Sequence, residues 1–163
     1  VQLTIPRRTG VPPKLLVASY AERKMEYSEE IRRTLAANQS VILLAPFQKR
    51  AVEWVQLFQQ DQRFNVTYFS SDLSAQERRD CFRRCIQGES HIVVGTRSAL
   101  FLPLLNLGLI IVEDEHDPLY KADRTPRYHG REVAKILAEK AGARLILASS
   151  CPSVESWSDV QYK

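Results

Sequence analysis

The chain has 163 residues, 44% of them hydrophobic and 26% charged, which suits one globular domain with a substantial core and excludes intrinsic disorder and collagen-like repetition. Its most apolar stretch, Phe101 to Val112, is broken by Pro103, Asn106 and Gly108, so no run reaches the roughly 18 residues that a membrane-spanning helix needs. The net charge of +4, from 23 basic and 19 acidic residues, is compatible with nucleic-acid binding without requiring it.

Residues 1 to 14 contain Arg7, Arg8, Pro6, Pro12 and Pro13 and read as an extended lead-in. The chain opens on Val-Gln-Leu, with no basic segment leading into an apolar one, so it reads as a domain excised from a longer cytoplasmic protein. β-Branched and leucine-rich runs then alternate with amphipathic stretches, the pattern of βαβ units feeding a mostly parallel sheet with helices on both faces. The expected strands are Leu15 to Ala18, Val41 to Ala45, Asn65 to Phe69, Ile92 to Val94, Leu109 to Glu113 and Leu145 to Ala148. Helical periodicity marks Glu22 to Ala37, Arg50 to Gln60, Ala75 to Ile86 and Arg131 to Lys140. The domain proper is expected over residues 15 to 157, with 158 to 163 a frayed exit.

Ser74-Ala75-Gln76-Glu77 is a capping box that starts the third helix. On that helix Cys81 and Cys85 lie one turn apart beside Phe82 and Ile86, which predicts core packing, while Arg78, Arg79, Arg83 and Arg84 form a solvated face. The three cysteines, Cys151 being the third, form no Cys-x-x-Cys pair, which argues against a disulfide framework and a structural zinc site and for a reducing compartment. No metal site is expected.

The acidic cluster Glu113-Asp114-Glu115-His116-Asp117 follows an apolar strand, at the carboxyl end where open α/β sheets place ligands. If the segment stays extended, Glu113 and Glu115 face one way and Asp114 and His116 the other. Such carboxylates suit a hydrated Mg²⁺ and an attacking water; the alternative is an acidic loop that merely solvates the sheet end.

At this point the residues take on a family likeness. The stretch HIVVGTRSALFLPLLNLGLIIVEDEHDPLYKADRTPRYHGREVA, His91 to Ala134, followed by LILASSCPSVESW, Leu145 to Trp157, resembles the PriA-type replication-restart helicases (primosomal protein N′). The likeness is to their first RecA-like helicase lobe, of the superfamily 2 P-loop NTPase fold. It covers residues 15 to 157, strongly from Ser71 onward and weakly before.

The resemblance implies a Walker A loop, Gly-x-x-x-x-Gly-Lys-Thr, after the first strand, its backbone N–H groups wrapping phosphates and its hydroxyl holding Mg²⁺. Here the stretch reads Ala18-Ser19-Tyr20-Ala21-Glu22-Arg23-Lys24-Met25. Only Lys24 matches, so it is the one nucleotide-binding candidate. Ala18 and Arg23 replace glycines, Met25 offers a soft thioether to a hard cation, and Glu22 sets a negative charge where a polyanion would lie. The family's Walker B pattern, Asp-Glu-x-His, becomes Glu113-Asp114-Glu115-His116. The exchanged carboxylates Glu113 and Asp114 are the candidate catalytic residues, retaining charge but not reach.

Gly95-Thr96-Arg97-Ser98 resembles the family's contact with the single-strand backbone, and the loop Asp117 to His129 its aromatic DNA-facing loop. Thr96, Arg97, Ser98, Tyr120, Lys121, Arg127, Tyr128 and His129 are therefore DNA-binding candidates; the competing role for Arg127 and Tyr128 is to anchor the loop against the acidic cluster. Pro46-Phe47-Gln48-Lys49-Arg50 keeps the proline of another DNA-facing motif and is equally an ordinary helix start. Ala148-Ser149-Ser150-Cys151-Pro152-Ser153 stands where the family has Gly-Ser-Ala-Thr-Pro-Ser, which makes Ser149 and Cys151 candidate coupling residues.

The resemblance thus implies a lobe that binds forked or single-stranded DNA in replication restart, alongside other primosome proteins and a second helicase lobe of the same chain. The degenerate motifs lean against enzymatic activity of this domain and call for no cofactor. The alternative is an active ATP-dependent 3′ to 5′ DNA helicase with a modified nucleotide site, using ATP and Mg²⁺ through Lys24, Glu113 and Asp114.

Overall fold

A computed structural model describes residues 12 to 161 except 62, 63, 124 and 126, with side chains through residue 158. Six strands, β1 (Lys14–Val17), β2 (Ser40–Leu44), β3 (Val66–Phe69), β4 (Ile92–Gly95), β5 (Leu107–Glu113) and β6 (Arg144–Ser149), form one sheet in the order β1-β6-β5-β2-β4-β3. Every pairing is parallel. The helices are α1 (Tyr20–Ala36), α2 (Gln48–Gln59), α3 (Ala75–Ile86), α4 (Gly130–Ala141) and α5 (Val154–Gln161).

Strand alternation divides the core into two layers. Val41, Leu43, Leu109 and Ile111 face Tyr27 and Ile31 of α1 and Trp54 and Phe58 of α2. Their neighbours Ile42, Leu44, Ile110 and Val112 face Cys81 and Cys85 of α3 and Ala134 and Ala138 of α4. With helices on both faces, β2 and β5 are buried at every position, which explains why they read as continuous apolar runs rather than alternating ones. The chain has the parallel α/β architecture expected of it, one sheet with helices on both faces.

All six strands and the first four helices lie where the sequence places them, with shifts of one or two residues at their ends. A 3₁₀ turn, Arg97–Phe101, links β4 to β5 in place of a crossover helix. The fifth helix is unforeseen: the expected boundary at residue 157 falls inside α5, which continues through Gln161. The expected lead-in lies largely outside the described residues, and β1 starts at Lys14 within its last position. Cys81 and Cys85 are buried as predicted, but Phe82 and Ile86 are 39% and 60% exposed. Each follows its cysteine by one residue, about 100° around the helix, and so leaves the buried stripe.

Two glycines are fixed by geometry. Gly142 ends α4 in the left-handed region at φ 65°. A Cβ on Gly95 would lie 2.0 Å from the Phe69 carbonyl oxygen, so the first residue of the Gly-Thr-Arg-Ser block is required by the close approach of β3 to β4.

Strand register brings the site together. Val17 lies beside Ser149, Ala148 beside Glu113, and Val112 beside Leu44, so the turns after β1, β6, β5 and β2 crowd one end of the sheet.

Candidate functional site: a closed nucleotide position and the turn beside it

Only Ala18 and Ser19 separate β1 from α1. Ser19 is the N-cap in extended backbone, and a reciprocal capping box closes the turn. The Glu22 N–H donates to Ser19 Oγ at 3.4 Å, and the Ser19 N–H donates to Glu22 Oε2 at 2.8 Å. Bonds from the Ser19 hydroxyl and then its backbone hold the Glu22 carboxyl below its ordinary range. Tyr20 to Arg23 therefore form a helical turn where the resemblance places a phosphate-wrapping loop. The amides of Ser19, Glu22 and Arg23 are engaged by the cap and the helix, and the Glu22 carboxylate lies at the helix start where phosphate would bind.

Helical periodicity then decides which cation enters the site. Lys24, the matched nucleotide-binding candidate, is exposed. Arg23 is 3% exposed, and its Nη1 lies 2.6 Å from Asp114 Oδ1 and 3.4 Å from Glu113 Oε1. The cation facing the Walker B position is thus Arg23, one residue before the expected lysine. The Tyr27 hydroxyl, one turn along α1, donates to Glu113 Oε2. Burial pushes the Glu113 carboxyl up, against the Tyr27 bond and the Arg23 charge, while the neighbouring Asp114 adds to the rise.

The predicted alternation of the acidic cluster fails after Glu113. Asp114 adopts φ 46°, a left-handed conformation that aspartate tolerates better than most residues. The turn brings Glu113 and Asp114 onto one guanidinium instead of onto opposite sides. Glu115 is separate: it is fully buried and accepts from the Ser153 N–H at 2.6 Å, Arg131 Nη1 at 2.7 Å, Ser156 Oγ at 2.8 Å and Ser153 Oγ at 2.9 Å. Burial opposes its charge, but these bonds hold its carboxyl below the ordinary range. This carboxylate ties α4 and α5 to the sheet.

These residues do not fit a nucleotide with Mg²⁺. A cation already lies against the two carboxylates, the helix start carries its own carboxylate, and Met25 is 75% exposed with no hard oxygen to offer. Among the described residues no group of three or more histidine, cysteine or acidic side chains is placed to hold a metal.

The coupling candidates come together. Ser149 Oγ lies 2.7 Å from His116 Nδ1 and accepts from the Cys151 N–H at 2.9 Å; the Cys151 thiol is free and exposed.

The DNA-binding candidates divide into two groups. Tyr120 is 1% exposed, and its hydroxyl donates to the Glu113 carbonyl at 2.6 Å and the Leu44 carbonyl at 3.1 Å. It is a buried anchor with no face open to a base, contrary to the stacking role. Arg97 Nη1 donates to the carbonyls of Leu119 and, at 3.1 Å, Lys121, so part of this guanidinium is committed to holding the Pro118–Tyr120 turn. Thr96 and Ser98 are half-buried with their hydroxyls 3.4 Å apart. Lys121 and Arg127 are exposed. Tyr128 is half-buried edge-on to Phe101 at 5.3 Å, an anchoring contact. His129 pairs with Lys121 in an isolated antiparallel bridge; burial and then Arg131 lower its imidazole pKa. In the Pro46 segment, Arg50 stacks on the Tyr20 ring at 4.4 Å, whereas Lys49 is exposed.

Sequence reasoning missed Arg23 and Tyr27 as site residues, and Arg131, Ser153 and Ser156 as partners of Glu115. The Ser19-x-x-Glu22 pattern was available as a signal. The pairing of Arg23 with Asp114, 91 positions away, had none.

No protein-family model matches the chain. It is similar to the replication restart protein PriA of Synechocystis sp., 42% identical over 127 residues, covering 77% of this chain and 15% of that protein. The PriA of Bacillus subtilis is 36% identical over 135 residues, covering 83% of this chain and 17% of the relative, and that of Helicobacter pylori J99 is 36% identical over 147 residues, covering 90% and 24%. Among solved structures, RecG bound to a three-way DNA junction superposes with a TM-score of 0.63 at 17% identity, covering 93% of this chain and 20% of that one. The Pyrococcus furiosus Hef helicase domain superposes with a TM-score of 0.53 at 13% identity, covering 88% and 28%. The chain therefore spans between 15 and 24% of the length of these curated relatives. By sequence it is a relative of the PriA replication restart proteins, in the RecA-like helicase-domain fold and with degenerate Walker motifs.

Proposed function

We propose that this chain is a first helicase lobe of PriA type that binds single-stranded or forked DNA in replication restart and does not hydrolyse ATP. The observation that carries the second half is Arg23, buried against Glu113 and Asp114 where a nucleotide's metal would have to lie. The first half rests on the similarity to PriA and on Lys121, Arg127 and Lys49, exposed cations that suit phosphate contact without sequence readout. The other primosome proteins, a second lobe of the same chain and a cytoplasmic setting belong to this reading. Among the described residues no helix is long and apolar enough to cross a membrane.

The test is calorimetry of ATP and ADP with Mg²⁺, together with binding of a labelled single strand across a salt series. The native chain is expected to take up no nucleotide, while an Ala18→Gly, Arg23→Gly, Met25→Thr variant binds more tightly than it does. DNA binding is expected at low salt and to fall steeply as salt rises. Native nucleotide binding as tight as the variant's overturns the first expectation and makes the active helicase the better reading. Absence of a DNA complex at low salt overturns the second.

A further inference from the structure

The ion cluster and the DNA-facing turn are joined by direct bonds. Arg23 binds Asp114 and Glu113 at the end of β5, and the main-chain carbonyl of Glu113 accepts from the Tyr120 hydroxyl at 2.6 Å. On either side of Tyr120, the carbonyls of Leu119 and Lys121 accept from Arg97. The Ala122 N–H donates to the Tyr128 carbonyl at 2.7 Å, which closes the turn on its far side. Between the cluster and the anchor, Asp114 is held at φ 46°, a strained conformation that persists where its surroundings over-determine it. Without a cation, two adjacent carboxylates, one of them fully buried, repel each other and favour release of that turn.

Resting on the proposed absence of nucleotide chemistry, we infer that Arg23 is a positioning residue for the DNA-facing turn, a built-in cation that fixes Asp117 to Ala122 and makes DNA binding indifferent to nucleotide. It acts through Glu113 and Tyr120 and touches no DNA itself.

The inference separates a positive charge from mere packing. In the native chain, ATP with Mg²⁺, or Mg²⁺ alone, is expected to leave single-strand affinity within about twofold and the amide exchange of Leu119 to Ala122 unchanged. Arg23→Met keeps the length and removes the charge, and it is expected to speed that exchange and weaken DNA binding by about tenfold, a usual size for coupling between sites. Mg²⁺ should restore a substantial part of both in Arg23→Met, because it replaces one cation with another on Glu113 and Asp114. Arg23→Lys should retain most of both without Mg²⁺.

Unchanged exchange and affinity in a folded Arg23→Met overturn the inference, as does a decline that Mg²⁺ leaves untouched, which marks Arg23 as packing alone. If Arg23→Met does not fold, Arg23→Lys decides: retained slow exchange supports the inference, and exchange as fast as in a Tyr120→Phe variant refutes it. Should the native chain bind no DNA, the proposed function fails, but amide exchange still reads the link from Arg23 to the turn.

Discussion

The turns that open α1 and α3 are built from the same four-residue pattern, Ser19 to Glu22 and Ser74 to Glu77, and both close as reciprocal capping boxes. In α3 the next residues are solvated arginines over two buried cysteines, and the turn starts a helix at the surface. In α1 the next residue is Arg23, aimed at the sheet end beneath the β1 turn. One local device is therefore ordinary on the surface and decisive at a sheet's carboxyl end. There it commits amides that a phosphate would need and delivers a guanidinium to the carboxylates a metal would need.

Substitutions can break that contrast. The largest effect is expected from Arg23→Met, which strands the buried Glu113 carboxylate beside Asp114 and should cost about 3–5 kcal/mol in urea unfolding. An equally stable variant would show that the buried pair is not formed. Tyr120→Phe leaves the buried carbonyls of Glu113 and Leu44 without their donor, for an expected loss of about 1–3 kcal/mol by the same measurement. Ser19→Ala and Ser74→Ala should each cost about 1 kcal/mol as lost N-caps; no cost for Ser19→Ala alone would mean that the β1 turn is an open loop in solution.

The capping carboxylates add an acid dependence of known sign. Glu22 and Glu77 are held below their ordinary pKa by their serine partners, so the folded state binds fewer protons there than the unfolded chain. Their contribution is fully present above the ordinary value of 4.5 and is lost as pH falls through the lowered folded value. Unfolding midpoints followed downward from neutral pH should therefore decline less steeply in the two serine variants than in the native chain. The smallest effect is expected at Arg83→Ala, on the solvated face of α3, within about 0.5 kcal/mol of native stability.

Most of the architecture was legible because it depends on short-range periodicity. The buried runs Val41 to Leu44 and Leu109 to Val112 read as strands of a covered sheet, and the Ser74 box marked a helix start. Less of the site was legible. Extended alternation predicts Glu113 and Asp114 apart, but a left-handed Asp114 is set by its tertiary partners. Tyr120 reads as a stacking aromatic from its loop, yet the two carbonyls that take its hydroxyl come from β2 and β5, distant in sequence. A motif aligned on Lys24 also hid the capping box that the same residues encode.

By itself, the sequence determined the parallel α/β fold, the kinship with PriA and the loss of the glycines and hydroxyl that a phosphate loop requires. The fold follows from period and spacing and the kinship from matching blocks of residues, all of them carried by residues close together in the chain. Only the tertiary structure decided that the vacated position is filled from within, and by Arg23 rather than Lys24. The helix phase of α1 points one of two adjacent cations toward the sheet and the other toward water, and the parallel pairing of β1, β6 and β5 brings the carboxylates to meet it.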